Sequence, residues 1–188
     1  MYLLLFCLYF NIKYDTIELG ETMNIIFLDI DGVLNTSDSF KEEYYKSKEL
    51  NRIRIYPIDE DRLSYLVEIV KLTNAKIVLT SSNRVNFIKI DNKLIPLNNI
   101  GKDILNAFSK HNLSIYDITP YDDNRLRGNE IKMWLENNKN IDNYIIIDDE
   151  EVGLELYKDK LIKTNINNEV YGLNIRHVNK AVKKLKKL

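Results

Sequence analysis

The mostly branched and aromatic run Asn24 to Leu28 leads straight into Asp29-Ile30-Asp31-Gly32-Val33-Leu34-Asn35, so an apolar segment ends in two aspartates spaced i, i+2 and then a glycine. Such a run reads as a strand buried on both faces, as in a parallel sheet. Side chains alternate along an extended chain, so Asp29 and Asp31 lean to one side at the strand's carboxyl end, where open α/β sheets bind ligands. Like charges about 4 Å apart at an effective dielectric of about 20 cost on the order of 4 kcal/mol, so a cation or a shared proton must offset the pair. A plain turn is the competing reading, because Asp-Gly is common turn chemistry and Asp is a frequent helix N-cap.

Which cation is possible follows from what the chain lacks. With one cysteine, Cys7, and two histidines, His111 and His177, there is no internal disulfide and too few ligands for a Cys/His zinc site. Any metal here is a hard, oxygen-bound one. The 188 residues fit one domain, and 27 basic against 28 acidic residues leave a net charge of -1, which creates no overall field to attract nucleic acid. Met1 to Phe10 is almost wholly apolar but has no basic leading region and no cleavage site, and it is too short to span a bilayer. Residues 1–22 are expected to be an extension outside the domain, with an added edge strand or a partner-binding tail as alternatives, and the domain to occupy 23–188. A cytoplasmic protein without stable membrane association is expected.

Downstream, strands and helices alternate. Thr36 to Tyr56 has no clean period and suggests a flap near the site. Leu63, Leu66, Val67 and Val70 fall at i, i+3, i+4 and i+7 behind the acidic Asp59-Glu60-Asp61, predicting an amphipathic helix. Lys76 to Leu79 is a second buried strand ending in Thr80-Ser81-Ser82-Asn83-Arg84, and Arg84 to Asn98 reads as a loop or small insertion. Ile100 to His111 is helical, Ser114 to Ile118 a short strand, and Tyr121 to Gly128 a charged loop before a helix marked by Ile131, Trp134 and Leu135. Tyr144 to Ile147 is a third apolar strand, ending in Asp148-Asp149-Glu150; Leu161 to Thr164 can add a strand, Tyr171-Gly172-Leu173 a turn and Val178 to Leu188 a terminal helix. The expected fold is therefore α/β, a doubly wound, Rossmann-like parallel sheet flanked by helices, with small or minimal cap insertions.

Asp29-x-Asp31-Gly32, a strand ending at Thr80-Ser81, a basic residue before a helix and a strand ending at Asp148-Asp149 occur in the order that characterises haloacid dehalogenase-like (HAD) phosphohydrolases, and residues 23 to 188 resemble that superfamily. Within it, Leu-Asp-Ile-Asp-Gly-Val-Leu-Asn and Leu-Thr-Ser-Ser-Asn-Arg are most similar to the small phosphatase domains of RNA-repair proteins, although Asn83 stands where those relatives often carry an aromatic residue. The resemblance implies a magnesium-dependent phosphomonoester hydrolase. Asp29 would be the nucleophile that forms an aspartyl-phosphate, and Asp31 the general acid and then base. Mg2+ would be held by Asp29, the backbone carbonyl of Asp31, Asp148 and Asp149. Thr80, the amide of Ser81 and Arg127 would bind phosphate, with Arg125 as the alternate cation, since a cation at a helix start makes best sense if an anion binds there.

Each piece has a plainer reading. Asp148-Asp149-Glu150 also suits the first turn of a helix over Val152 to Tyr157, and the lysines at 180, 183, 184, 186 and 187 suit a solvated helix face. The alternative function is a catalytically silent HAD-like protein that binds a phosphorylated ligand or a partner. The absence of a large cap leaves the site open to a polynucleotide end, a nucleotide or another phosphomonoester.

Overall fold

In a computed structural model, the chain is described over residues 22–165 and 172–187. Apart from Thr22, the predicted extension over 1–22 lies outside the described residues, as do Tyr171 of the predicted turn and the final Leu188. Five parallel strands form one sheet: β1 (Met23–Leu28), β2 (Lys76–Leu79), β5 (Ile115–Ile118), β6 (Ile141–Asp148) and β7 (Leu161–Lys163), in the order β5-β2-β1-β6-β7. β1 is central. After it the chain builds outward through β2 and β5, then returns to its other side for β6 and β7, which makes the carboxyl ends of β1 and β6 the point where strand order reverses.

Side-chain alternation divides the core into two layers. Ile26, Leu28, Ile77, Leu79, Ile145 and Ile147 pack against the helices α2 (Glu60–Thr73), α3 (Asn99–Lys110) and α5 (Ile175–Leu185). On the opposite face Ile25, Phe27, Val78 and Ile146 meet Ile131 and Trp134 of α4 (Arg127–Asn137), with Phe27 edge-on to Trp134 at 5.4 Å between ring centroids. Burial on both faces explains why these strands read as continuous apolar runs. Asp59 caps α2 by accepting from the amides of Asp61 and Arg62, as the acidic start of that segment predicts.

Three segments take shapes that hydrophobic periodicity did not specify. Thr36 to Tyr56 contains helix α1 (Ser37–Glu49), started by a capping box between Thr36 and Ser39. α1 shows no apolar period because its buried residues are Glu43 and Ser47, and Glu43 grips Arg52 through two hydrogen bonds of 2.6 and 2.8 Å. Next, Arg84 to Asn98 is a small insertion as expected: it carries the end of a short 3-10 turn (Ser82–Asn86) and then an antiparallel hairpin of β3 (Phe87–Ile90) and β4 (Lys93–Pro96). Asp91 and Asn92 both take positive φ there, the backbone that a two-residue hairpin loop needs. Finally, no α-helix runs over Val152 to Tyr157; only Glu155–Tyr157 forms a 3-10 turn, because Gly153 sits at φ +79 and its carbonyl accepts from Gly128 at the start of α4. That contact is close: a Cβ on Gly128 would lie 2.2 Å from the Gly153 oxygen. α4 is thereby docked with Arg127 at its first turn.

Candidate active site

The loop after β1 sets the first acids. Asp29 follows the last residue of the strand, its amide donating to Ile147 O at 2.9 Å, and Gly32 turns the chain at φ +74. Val33 and Leu34 bond back to Ile30 O, Leu173 donates to Val33 O, and the hydroxyl of Thr164 donates to Gly32 O at 2.9 Å, so the loop is braced from three directions. Asp148 ends the neighbouring strand β6 and is completely buried, with Asp149 just beyond it. A Cβ on Gly32 would meet the Asp149 carboxyl at 2.4 Å, so only glycine lets the two loops approach this closely.

Asp29, Asp148 and Asp149 each offer a carboxylate oxygen within 4.8 Å of the others. Burial raises the affinity of all three for protons, and Asp148 raises that of Asp29 and Asp149 further; Arg127 pulls in the other direction. The guanidinium of Arg127 donates to Asp148 and lies 3.6 Å from Asp29. One half-buried cation therefore faces three crowded acids. The charge is still short of balance, and three hard oxygen donors so placed could hold a divalent metal ion. That fits Mg2+ better than zinc, since among the described residues no histidine or cysteine contributes to the cluster.

Thr80 and Ser81 stand at the end of β2, on the other side of Asp29, and both are completely buried. The neighbouring Ser81 side chain lowers the affinity of Asp29 for protons. The Thr80 hydroxyl has no partner among the described residues, although a buried donor is ordinarily satisfied. Behind them the buried Arg84 donates to the carbonyls of Thr80 and Ser81, both at 2.9 Å, and pairs with the buried Glu130 of α4. Arg84 thus links the Thr80-Ser81 turn to the helix that carries Arg127.

The Asp31 carboxylate lies outside the acidic cluster and is engaged elsewhere. Its Oδ1 accepts from the Tyr56 hydroxyl at 2.5 Å and from Asn35 at 3.0 Å; its Oδ2 accepts from Asn83 at 2.8 Å. Tyr56 is half-buried, and both burial and the neighbouring Asp31 hold its phenol far above its ordinary range, so it remains a proton donor. The predicted set divides accordingly: Asp29, Asp148, Asp149 and Arg127 form one cluster, Thr80 and Ser81 flank it, and Asp31 faces a separate group of donors. Arg125, the alternate cation, has an exposed position at φ +54 and makes no ion pair among the described residues. It lines a groove of about 280 Å³ with Arg84, Arg127 and the exposed ring of Tyr121. Sequence reasoning gave no role to Tyr56, Asn35, Arg84 or Thr164. Asn83 it noted only as a departure from an aromatic.

A parallel sheet whose reversal point gathers Asp29, Thr80, Arg127 and Asp148 from four successive loops defines a HAD-like domain. The chain belongs to the family described as the HAD domain in Swiss Army Knife RNA repair proteins, whose model matches residues 25–178. That family suggests a phosphatase-type hydrolase, and HAD domains typically use Mg2+. No curated protein and no solved structure gives a significant match. Among the described residues no helix is long and apolar enough to cross a membrane.

Proposed function

We propose that this chain is a magnesium-dependent phosphomonoester hydrolase that works through an aspartyl-phosphate on Asp29. The observation that carries the reading is the position of Asp29: a buried carboxylate between an acid cluster with its arginine and the unpartnered hydroxyl of Thr80. A carboxylate is a nucleophile only when ionised, and Arg127 favours that form against the burial that opposes it. Asp29, Asp148 and Asp149, with the Asp31 carbonyl, would hold Mg2+, which when bound supplies Lewis-acid stabilisation of phosphoryl charge. Thr80 would donate to a phosphoryl oxygen, with the Ser81 amide beside it and Arg127 completing the electrostatic surround.

In the first step an Asp29 oxygen forms a bond to phosphorus while the ester P–O bond breaks, its electron pair leaving on the alcohol oxygen. A proton carried by Asp31 passes to that oxygen, so the alcohol departs neutral. Asp31, now a carboxylate, takes a proton from water as water attacks phosphorus, releasing phosphate and restoring Asp29. A catalytically silent ligand-binding relative would need no proton carrier two residues past the nucleophile.

For the substrate we favour a nucleotide or polynucleotide end. An exposed aromatic ring, Tyr121, beside the unpaired Arg125 in a groove that reaches Arg127 suits a stacked base with an adjoining phosphate. The family's description, which names RNA repair, agrees with that choice. Assays of an aryl phosphate with and without Mg2+, beside 3'- and 5'-phosphorylated oligonucleotides and phosphorylated metabolites, test both parts. Turnover should require Mg2+ and vanish in Asp29→Asn, and oligonucleotide ends should give the highest kcat/KM. Wild-type rates in that variant, or failure to trap a phosphorylated Asp29 from active enzyme, would overturn the chemistry.

A further inference from the structure

We infer that Tyr56, delivered to the site by the segment after α1, is a positioning residue that holds Asp31 for proton transfer, leaving Oδ2 as the oxygen that carries the proton. The inference rests on the hydrolase reading above and adds a residue to it. Asp31 Oδ1 accepts two hydrogen bonds, from Tyr56 and Asn35, which occupy both of its lone pairs. Oδ2 accepts one, from Asn83, and keeps a lone pair to bind a proton. The proton lost to the leaving alcohol therefore comes from Oδ2–H, and the proton recovered from water returns to Oδ2.

Tyr56 differs from the other two donors in where it comes from. Asn35 belongs to the same loop as Asp31, and Asn83 lies in the 3-10 turn that follows Thr80-Ser81. Tyr56 is held from outside both. Its amide donates to Asp103 of α3 at 2.8 Å, and its ring lies edge-on to Phe40 of α1 with centroids 5.6 Å apart. Its hydroxyl also accepts from Asn83 at 2.8 Å and Asn35 at 3.1 Å, so the phenol is the hub on which the other two donors converge.

Tyr56→Phe keeps the ring and deletes the hydroxyl. For alkyl phosphates, whose leaving oxygen needs a proton, kcat/KM should fall about 10- to 100-fold, the scale for loosening a positioned group or losing one charge-assisted hydrogen bond. For p-nitrophenyl phosphate, whose leaving group needs none, kcat/KM should be unchanged, as should inhibition by inorganic phosphate. Combined with Asp31→Asn, the variant should be no slower than Asp31→Asn alone. Asp103→Ala, which frees the Tyr56 backbone without touching Asp31, should show the same leaving-group signature in weaker form and decides the matter if Tyr56→Phe does not fold. Equal losses on both esters, a weakened phosphate inhibition, or losses that multiply with Asp31→Asn would overturn the role of Tyr56. The chemistry beneath has its own controls in the same assay: if Asp29→Asn stays active the hydrolase reading fails, and if Asp31→Asn loses no more on alkyl than on nitrophenyl esters Asp31 is not its general acid. If those controls behave and Tyr56→Phe matches wild type, the role of Tyr56 alone falls.

Discussion

At Asp29 burial and charge act in opposite directions. Desolvation favours the neutral acid, Asp148 adds to that, and the Arg127 guanidinium 3.6 Å away favours the anion a nucleophile needs. Arg127→Ala should therefore remove more than a phosphate contact. It leaves a completely buried Asp148 without its partner, a change that costs on the order of 3 to 5 kcal/mol when one member of a buried pair is lost. Urea unfolding of the metal-free variant should show that loss, and added Mg2+ should restore part of it. Arg125→Ala should leave stability and aryl-phosphate turnover unchanged while raising KM for oligonucleotides, since Arg125 is exposed and faces only the groove. A larger stability or aryl-phosphatase loss from Arg125 than from Arg127 would reverse the assignment.

Between elements, the strongest connection near the site is Arg84. It donates to two carbonyls of the Thr80-Ser81 turn and pairs with Glu130 on α4, with both side chains buried. Arg84→Met leaves Glu130 uncompensated and should destabilise the fold by about 3 to 5 kcal/mol. Replacing both, in Arg84→Met/Glu130→Leu, should recover much of the melting temperature, because a buried ion pair adds little over apolar side chains of similar size. Activity should not recover with it, since the turn has lost its donor. Thermal melting followed by kcat/KM on the two variants separates these effects; full recovery of activity in the double variant would show that Arg84 has no positioning role. α2 and α4 were legible in sequence because each buries an apolar stripe. α1 was not, because what fastens it is Glu43 with Arg52 and the Ile55 amide, an arrangement with no hydrophobic period.

Across the whole molecule, the acid cluster couples stability to pH. With Asp29, Asp148 and Asp149 all raised in the folded state, the folded protein holds more protons than the unfolded chain once pH exceeds about 4, the ordinary carboxylate value. Metal-free stability contributed by these groups therefore falls as pH rises, until the three have ionised. His177 works in the opposite sense, its lowered affinity for protons costing stability as pH drops below about 6.5. Comparison with Asp29→Asn isolates the cluster: without metal, the variant should gain in melting temperature over wild type as pH rises from about 5 to about 8. Mg2+ should raise the wild-type melting temperature more at the higher pH, where it displaces fewer protons. A Mg2+ effect independent of pH would show that the ion does not bind at these carboxylates.

The sequence by itself determined the sheet and the places where its strands end. Burial on both faces demands unbroken apolar runs, and each run stops where polar side chains begin, so Asp29, Thr80 and Asp148 could be assigned to one edge before any coordinates. Only the tertiary structure decided which of those groups meet. Asp31 is two residues from Asp29 yet faces Tyr56, 25 residues onward, and Asn83, 52 onward. Arg84 joins two segments 46 residues apart. Hydrophobic periodicity records which face of an element is buried. Hydrogen bonds between side chains on separate loops leave no such period, because each depends on a distance that exists only after the elements have packed.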